Sequence, residues 1–134
     1  MCFYKHVFWD ISGACNSQCR YCCNGGNSLS GRMHRNIAGF LPPEEFDGAL
    51  VFLIKRGVIA PKQTHIELYN WGEPFLHPHF GAMLKIVFKK GFSFGLSTNA
   101  SILKTIPVDT ISKLATVRFS MPGFSQKSYD RMYG

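Results

Sequence analysis

Long apolar runs are missing from this chain of 134 residues. None reaches the roughly 18 residues needed to cross a bilayer, so a membrane-spanning helix is not expected. The opening segment, MCFYKHVFWDISG, mixes apolar and charged residues. It lacks the basic start, apolar centre and small-residue cleavage site of a secretory signal, and a cytoplasmic protein is the expectation. Acidic residues are scarce, 8 against 15 lysines and arginines, which leaves a formal charge of +7. The excess is scattered over Lys55-Arg56, Lys62, Lys85, Lys89-Lys90, Lys104 and Lys113, with no dense basic run interleaved with aromatics. Nucleic acid is therefore not an expected partner, and these cations read as solvated helix faces. Internal repeats, low-complexity segments and an interdomain linker are also lacking. With 46% hydrophobic and 17% charged residues, the composition is that of a globular domain.

Cysteine is in better supply. Of Cys2, Cys15, Cys19, Cys22 and Cys23, four crowd into residues 15–23. An odd count and tight clustering argue against a secreted disulfide framework and for a metal or redox site in a reducing compartment.

The apolar periodicity alternates between two kinds. Residues 3–11, rich in aromatic and β-branched types, read as a first strand whose aromatics belong to the core. Residues 12–41 form a long loop, with a short helix after the cysteines; loops of this length in compact domains are usually functional or disordered. Leu41-Pro42-Pro43-Glu44-Glu45 announces a helix, with prolines at its start and acids in its first turn. Phe46, Ala49, Leu50, Leu53 and Ile54 continue it at helical spacing up to Gly57. Residues 65–70 make a second strand. A second helix runs from Pro78 to Gly91, with Phe80, Met83, Leu84 and Val87 on one face. Residues 92–98 and 116–121 make a third and fourth strand, separated by a short helical stretch with Ile102, Ile111 and Leu114 that Pro107 breaks. Residues 126–132 begin another helix. The order β-α-β-α-β-α-β implies an α/β fold with a parallel sheet, whose ligands sit at the carboxyl ends of the strands.

The strongest chemical signal is Cys15-Asn-Ser-Gln-Cys19-Arg-Tyr-Cys22. Thiolates suit iron–sulfur clusters, zinc or copper(I). Three closely spaced thiols wrap one corner of a 4Fe–4S cubane and leave one iron open, where such a cluster ordinarily takes four. Zinc is the competing reading, completed by His34 or Cys23, although structural zinc sites more often use two separated ligand pairs and adjacent Cys22 and Cys23 converge poorly on one ion. Thiols without a metal are the third reading.

On these residues the chain resembles the radical S-adenosylmethionine (SAM) superfamily. The CxxxCxxC loop follows the first strand, and Tyr21 fills the aromatic position before the third cysteine. Trp71-Gly72-Glu73-Pro74 follows the second strand and is similar to the family's Gly-Gly-Glu-Pro element, with Trp71 in place of the first glycine. Ser97-Thr98-Asn99 ends the third strand as a Thr-Asn-Gly element does in relatives, with Ala100 in place of glycine; Ser120 ends the fourth. The segment from Leu68 to Pro78 looks most like the branch whose members often carry a C-terminal auxiliary-cluster domain of the SPASM type.

The resemblance implies part of a partial TIM barrel, a 4Fe–4S cluster on Cys15, Cys19 and Cys22, and SAM bound by Tyr21, Gly72, Glu73, Pro74, Asn99 and Ser120. The activity implied is that of an enzyme: reductive cleavage of SAM to a 5′-deoxyadenosyl radical that abstracts hydrogen from a substrate. The branch resemblance suggests a peptide or protein substrate, and the chemistry calls for an electron donor such as flavodoxin or ferredoxin. The alternative is a binding module that holds an iron–sulfur cluster, or zinc, without turnover. Several of these residues have plainer readings. Glu73-Pro74 would serve as a turn, Tyr21 as packing, Asn99 as a helix cap and Ser120 as a partner for a backbone group. Asp10, at the end of the first strand, reads as a substrate-facing or supporting residue. His77 and His79 read as surface or capping residues, and Cys2 and Cys23 as incidental or supporting thiols.

Residues 1–134 supply about four of the family's six βα units, so the expectation is the N-terminal part of a truncated core domain. An open fourth strand would then favour self-association through the sheet edge.

Overall fold

The computed structural model describes residues 3–19, 22, 39–121 and 123–133. Cys2, Tyr21, Cys23, His34 and the short helix expected after the cysteines lie outside the described residues. The elements run β1 (His6–Phe8), α1 (Pro43–Lys55), β2 (His65–Glu67), α2 (Phe80–Lys89), β3 (Ser93–Thr98), β4 (Leu114–Phe119) and α3 (Gln126–Tyr133). The strands form one sheet in the order β1-β2-β3-β4, and every neighbouring pair is parallel. This is the α/β arrangement of parallel βα repeats expected from the alternation, and all four strands deliver the chain to the same edge of the sheet.

Local chemistry explains the helices. Pro42 and Pro43 open α1, Glu44 and Glu45 face its electropositive first turn, and Lys55 lies in its last. The helix ends where Gly57 takes φ +68°, a conformation open to glycine at little strain. Gly91, at φ +82°, ends α2 in the same way. Phe46 and Leu50 of α1, and Phe80, Met83, Leu84 and Val87 of α2, are buried against Ile66, Leu68, Phe94 and Leu96. Those four sheet residues alternate with Glu67, Tyr69, Gly95 and Ser97, which therefore line the opposite face.

The alternation also corrects the reading of the first strand. Tyr4 and Phe8 are exposed, while Val7 and Trp9 pack against the core. A three-residue edge strand buries one face only, so Phe8 is left on the helix-free side, edge-to-face with Tyr69. The stretch before β4 is a 3₁₀ helix over Val108–Lys113, and Leu114 belongs to the strand.

His77 keeps its capping reading, at the C-cap of the 3₁₀ helix Pro74–Leu76, and loses its surface one. It is completely buried rather than superficial. Its Nε2 is 2.9 Å from the Leu41 carbonyl and its Nδ1 accepts the His79 backbone N–H at 3.0 Å. That pattern requires a neutral ring protonated on Nε2. Burial pushes the His77 pKa down from its ordinary 6.5, opposed by the Leu41 carbonyl. A depressed folded-state value makes a contribution to stability that is complete above pH 6.5 and is lost as pH falls through the lower folded value. Urea midpoints should therefore decline on acidification below pH 6.5, by about 1.4 kcal/mol per unit of depression. His77→Gln should start lower and flatten this part of the profile; an equally steep profile in the variant would rule the assignment out.

Candidate cluster and cofactor site

The loops that leave the four strands meet in one cavity. Cys15, Cys19 and Cys22 border it from the segment after β1, Gly72 and Glu73 from the loop after β2, Asn99 from the end of β3 and Ser120 from the end of β4. Residues 57 positions apart, such as Cys15 and Gly72, are thus brought together by the parallel topology.

The backbone makes this convergence close. A Cβ on Gly72 would lie 1.6 Å from the Ser12 carbonyl oxygen, so only glycine fits there. The next residue donates its N–H to the Ala14 carbonyl at 2.8 Å, from Glu73. The segment that carries Cys15 is therefore laid directly on the loop after β2.

Asp10 fixes that loop from the other side. Its Oδ1 accepts backbone N–H groups from Asn70 at 2.8 Å, Trp71 at 2.9 Å and Gly72 at 3.2 Å. A carboxylate accepting several backbone donors is a strong, charge-assisted clamp. Asp10 is thus a supporting residue of the loop, one of the two roles its sequence position allowed.

Glu73 is 3% exposed. Its Oε1 accepts the Phe75 N–H at 3.1 Å, capping the 3₁₀ helix Pro74–Leu76, and its Oε2 accepts the Asn99 N–H at 2.8 Å. Each oxygen has a second lone pair, so the carboxylate keeps acceptor capacity toward the cavity. Pro74 is buried at the first position of the 3₁₀ helix and does not border the cavity. Tyr21 lies outside the described residues.

Asn99 ties the cysteine segment to β3. Its Nδ2 donates to Asn16 Oδ1 at 2.9 Å and Ser17 Oγ at 2.8 Å, and its Oδ1 accepts the Ser101 N–H at 3.0 Å. No α-helix begins here for it to cap. Ala100, which stands where relatives were expected to have glycine, takes φ +58°. A Cβ in that left-handed region is strained by roughly 1–2 kcal/mol. Ala100→Gly should accordingly raise stability by about 1 kcal/mol, read as a higher urea midpoint at unchanged slope; a lower midpoint would show that the strain is absent.

The donor set fits a cluster with three protein ligands. Cys15, Cys19 and Cys22 stand as thiols, and all three border the cavity. Among the described residues no three His, Cys, Asp or Glu side chains gather around a point that one ion could take. Three soft thiols fit a cubane, which takes each thiolate on a different iron; Cys23 and His34, which the zinc reading uses, lie outside the described residues. Burial pushes the Cys15 thiol up from its ordinary value, a backbone hydrogen bond from Ser17 opposes this, and the charges of Glu73 and Cys22 push it up further. Cationic iron is the kind of partner that displaces such a proton.

Sequence reasoning did not single out Ser17, Tyr69 or Asn70, and it named Ser97 and Thr98 only as part of the Ser97-Thr98-Asn99 element; all five also border the cavity. Ser97 and Tyr69 were legible in principle, since they follow the strand alternation onto the helix-free face. Ser17 and Asn70 sit in irregular backbone that carries no periodic signal.

A parallel βα sheet with three thiols and a buried acid at the carboxyl ends of its strands defines a partial-barrel cofactor protein. The family model described as the radical SAM superfamily matches residues 9–133, and the chain belongs to that superfamily. A Pyrococcus furiosus relative, the tungsten-containing aldehyde ferredoxin oxidoreductase cofactor-modifying protein, is 30% identical over 120 residues, which cover 87% of this chain and 30% of the relative. The structure of BtrN in complex with AdoMet and 2-DOIA matches with a TM-score of 0.67 at 17% identity, covering 99% of this chain and 53% of that one. Streptococcus suis SuiB bound to precursor peptide SuiA matches with a TM-score of 0.55 at 19% identity, covering 84% and 22%. At these identities the two structures bear on the fold alone. Among the described residues no helix is long and apolar enough to cross a membrane.

Proposed function

We propose that Cys15, Cys19 and Cys22 hold a 4Fe–4S cluster and that the cavity beside them receives SAM. When bound, the cluster would supply one electron, drawn from a donor of flavodoxin or ferredoxin type, for reductive cleavage of SAM to methionine and a 5′-deoxyadenosyl radical, which would take a hydrogen atom from substrate. The observation that carries this reading is the direct contact of the Cys15 segment with Gly72 and Glu73. An electron carrier has no use for that second element.

The chain's own residues bind and orient. The spare lone pairs of Glu73 accept the SAM ammonium in a charge-assisted hydrogen bond. Gly72 lets the two loops approach, Pro74 directs the chain into its turn, Asn99 holds the cysteine segment in register, and the Ser120 hydroxyl offers a neutral contact. Tyr21 supplies an aromatic surface for adenine. A peptide or protein is the substrate we propose, supported by the branch resemblance and by the precursor peptide bound to SuiB.

Anaerobic reconstitution with iron and sulfide, followed by EPR of the dithionite-reduced protein with and without SAM, tests the reading. A 4Fe–4S signal that changes on SAM addition is expected. A cluster signal indifferent to SAM would support the non-catalytic cluster module instead.

A further inference from the structure

Beside the cavity, the helix-free face of the sheet carries a second polar group of residues. Glu67, Gly95 and Thr116 are partners across three strands, and Ser97 and Arg118 are partners two residues on, so all five share that face. Arg118 lies on β4 two residues before Ser120, which borders the cavity, and its Nη1 donates to Glu67 Oε1 at 3.0 Å and to the Tyr69 hydroxyl. Tyr69 itself borders the cavity. The guanidinium is therefore tied to the cofactor site through one phenol.

Three observations set this group apart from an ordinary surface ion pair. Glu67 is a carboxylate on a short central strand, 3% exposed, while the Arg118 side chain is 53% exposed. Burying a carboxylate is costly unless it is paired. Room for it is made deliberately: a Cβ on Gly95 would lie 2.0 Å from Glu67 Oε2 and 2.6 Å from Thr116 Oγ1. Among the described residues, that Oε2 has no hydrogen-bond partner. Finally, the hydrogen bonds of Arg118 with the described residues run through Nη1, and its guanidinium carbon lies 5.8 Å from the centre of the Tyr69 ring. The edge formed by Nε and Nη2 makes no such hydrogen bond. The arrangement is a guanidinium anchored from below and open on its forked edge.

We propose that Arg118, held by Glu67 and Tyr69, receives a carboxylate of the substrate. The planar Nε–Nη2 edge matches the two oxygens of a carboxylate in a bidentate pair. A dianionic phosphate fits less well. Glu67 already pairs with Arg118, and among the described residues no helix N-terminus contributes to the face, whereas phosphate sites commonly draw on such backbone donors. The position suits a substrate anchor, next to the cavity and not within its wall. This inference rests on the radical SAM reading and adds to it a class of substrate, one bearing a carboxylate.

Saturation-transfer NMR on the anaerobically reconstituted full chain tests it, with benzoate, benzamide and inorganic phosphate as probes. Benzoate should bind and benzamide, its neutral counterpart, should not. Arg118→Lys keeps the charge and removes the fork, and should weaken benzoate binding about tenfold. Phosphate should displace benzoate no better than chloride at equal ionic strength, and saturating SAM should leave benzoate bound. Equal signals from benzoate and benzamide, undiminished binding to the lysine variant, or preferential displacement by phosphate would each overturn the carboxylate seat. Displacement by SAM would overturn it too, by assigning the seat to the cofactor's own carboxylate. EPR on the same sample separates the two levels. A SAM response without benzoate binding defeats this inference alone. Benzoate binding to a cluster that ignores SAM defeats the proposed function, and the substrate role with it.

Discussion

Serine at Cys15, Cys19 or Cys22 is expected to reduce reconstituted iron and sulfide to background, and with them the EPR signal and its response to SAM. The reason is stoichiometric. A cubane held by three protein thiolates has no spare ligand, and a serine hydroxyl at neutral pH is neither a soft donor nor an anion. The substitutions should barely touch the folding of the chain before reconstitution. All three residues are only partly buried and take no part in a helix or strand, so a change within about 0.5 kcal/mol is expected for each. The contrast matters, because a cluster lost through misfolding would lower the urea midpoint of the unreconstituted protein as well. Zinc content provides the competing measurement. Variants that keep stoichiometric zinc but not iron would return the site to the zinc reading, and a full cluster in any single variant would remove that cysteine from the ligand set.

The cysteine spacing was legible because a ligand motif in a loop needs no tertiary context to be read. The same holds for Gly72-Glu73-Pro74, which the sequence placed after a strand, where β2 ends at Glu67 and the loop follows. The alternation of periods sufficed for the parallel sheet, and Phe80, Met83, Leu84 and Val87 were correctly gathered on one face of α2. What failed was burial at the sheet margin. Phe8 has the composition of a core strand, yet at an edge with helices on one side its side chain is 58% exposed. His77 failed in the other direction, since an imidazole between Leu76 and Pro78 gives no local sign that two backbone groups will satisfy it. Arg118 and Glu67 lie 51 residues apart. Each alone reads as an ordinary charge, and only the registers of β2, β3 and β4 reveal that they meet over Gly95.

Alanine at Gly72 should have a larger effect on the site than any other change outside the cysteines. The added Cβ would sit 1.6 Å from the Ser12 carbonyl oxygen and 2.6 Å from its carbon. Both are main-chain atoms, so no rotamer change relieves the overlap. Ordinary contact would require one of the two loops to withdraw by on the order of 2 Å. Withdrawal would break the 2.8 Å hydrogen bond from Glu73 N–H to Ala14 and strain the Asp10 clamp at Trp71 and Gly72. An overpacking cost of about 3 kcal/mol follows, which for a domain of this size lowers Tm by on the order of 10 °C. Gly48→Ala is the matched control. A Cβ there meets nothing within 4 Å, and the residue lies inside α1, so it should gain about 0.5–1 kcal/mol from helix propensity. The two substitutions add the same methyl group and should move Tm in opposite directions. In the Gly72 variant the cysteines themselves are untouched, so reconstitution should still give a 4Fe–4S signal, while the change on adding SAM should be lost because Glu73 no longer faces the cluster. Wild-type Tm together with an intact SAM response would mean that the loops do not approach at Gly72, and would remove the contact on which the proposed function rests. Trp71 sharpens the comparison. It occupies the neighbouring position where relatives were expected to have glycine, and its side chain reaches solvent beside the cavity. Position 72 is pressed against the Ser12 backbone, and that close approach requires glycine there.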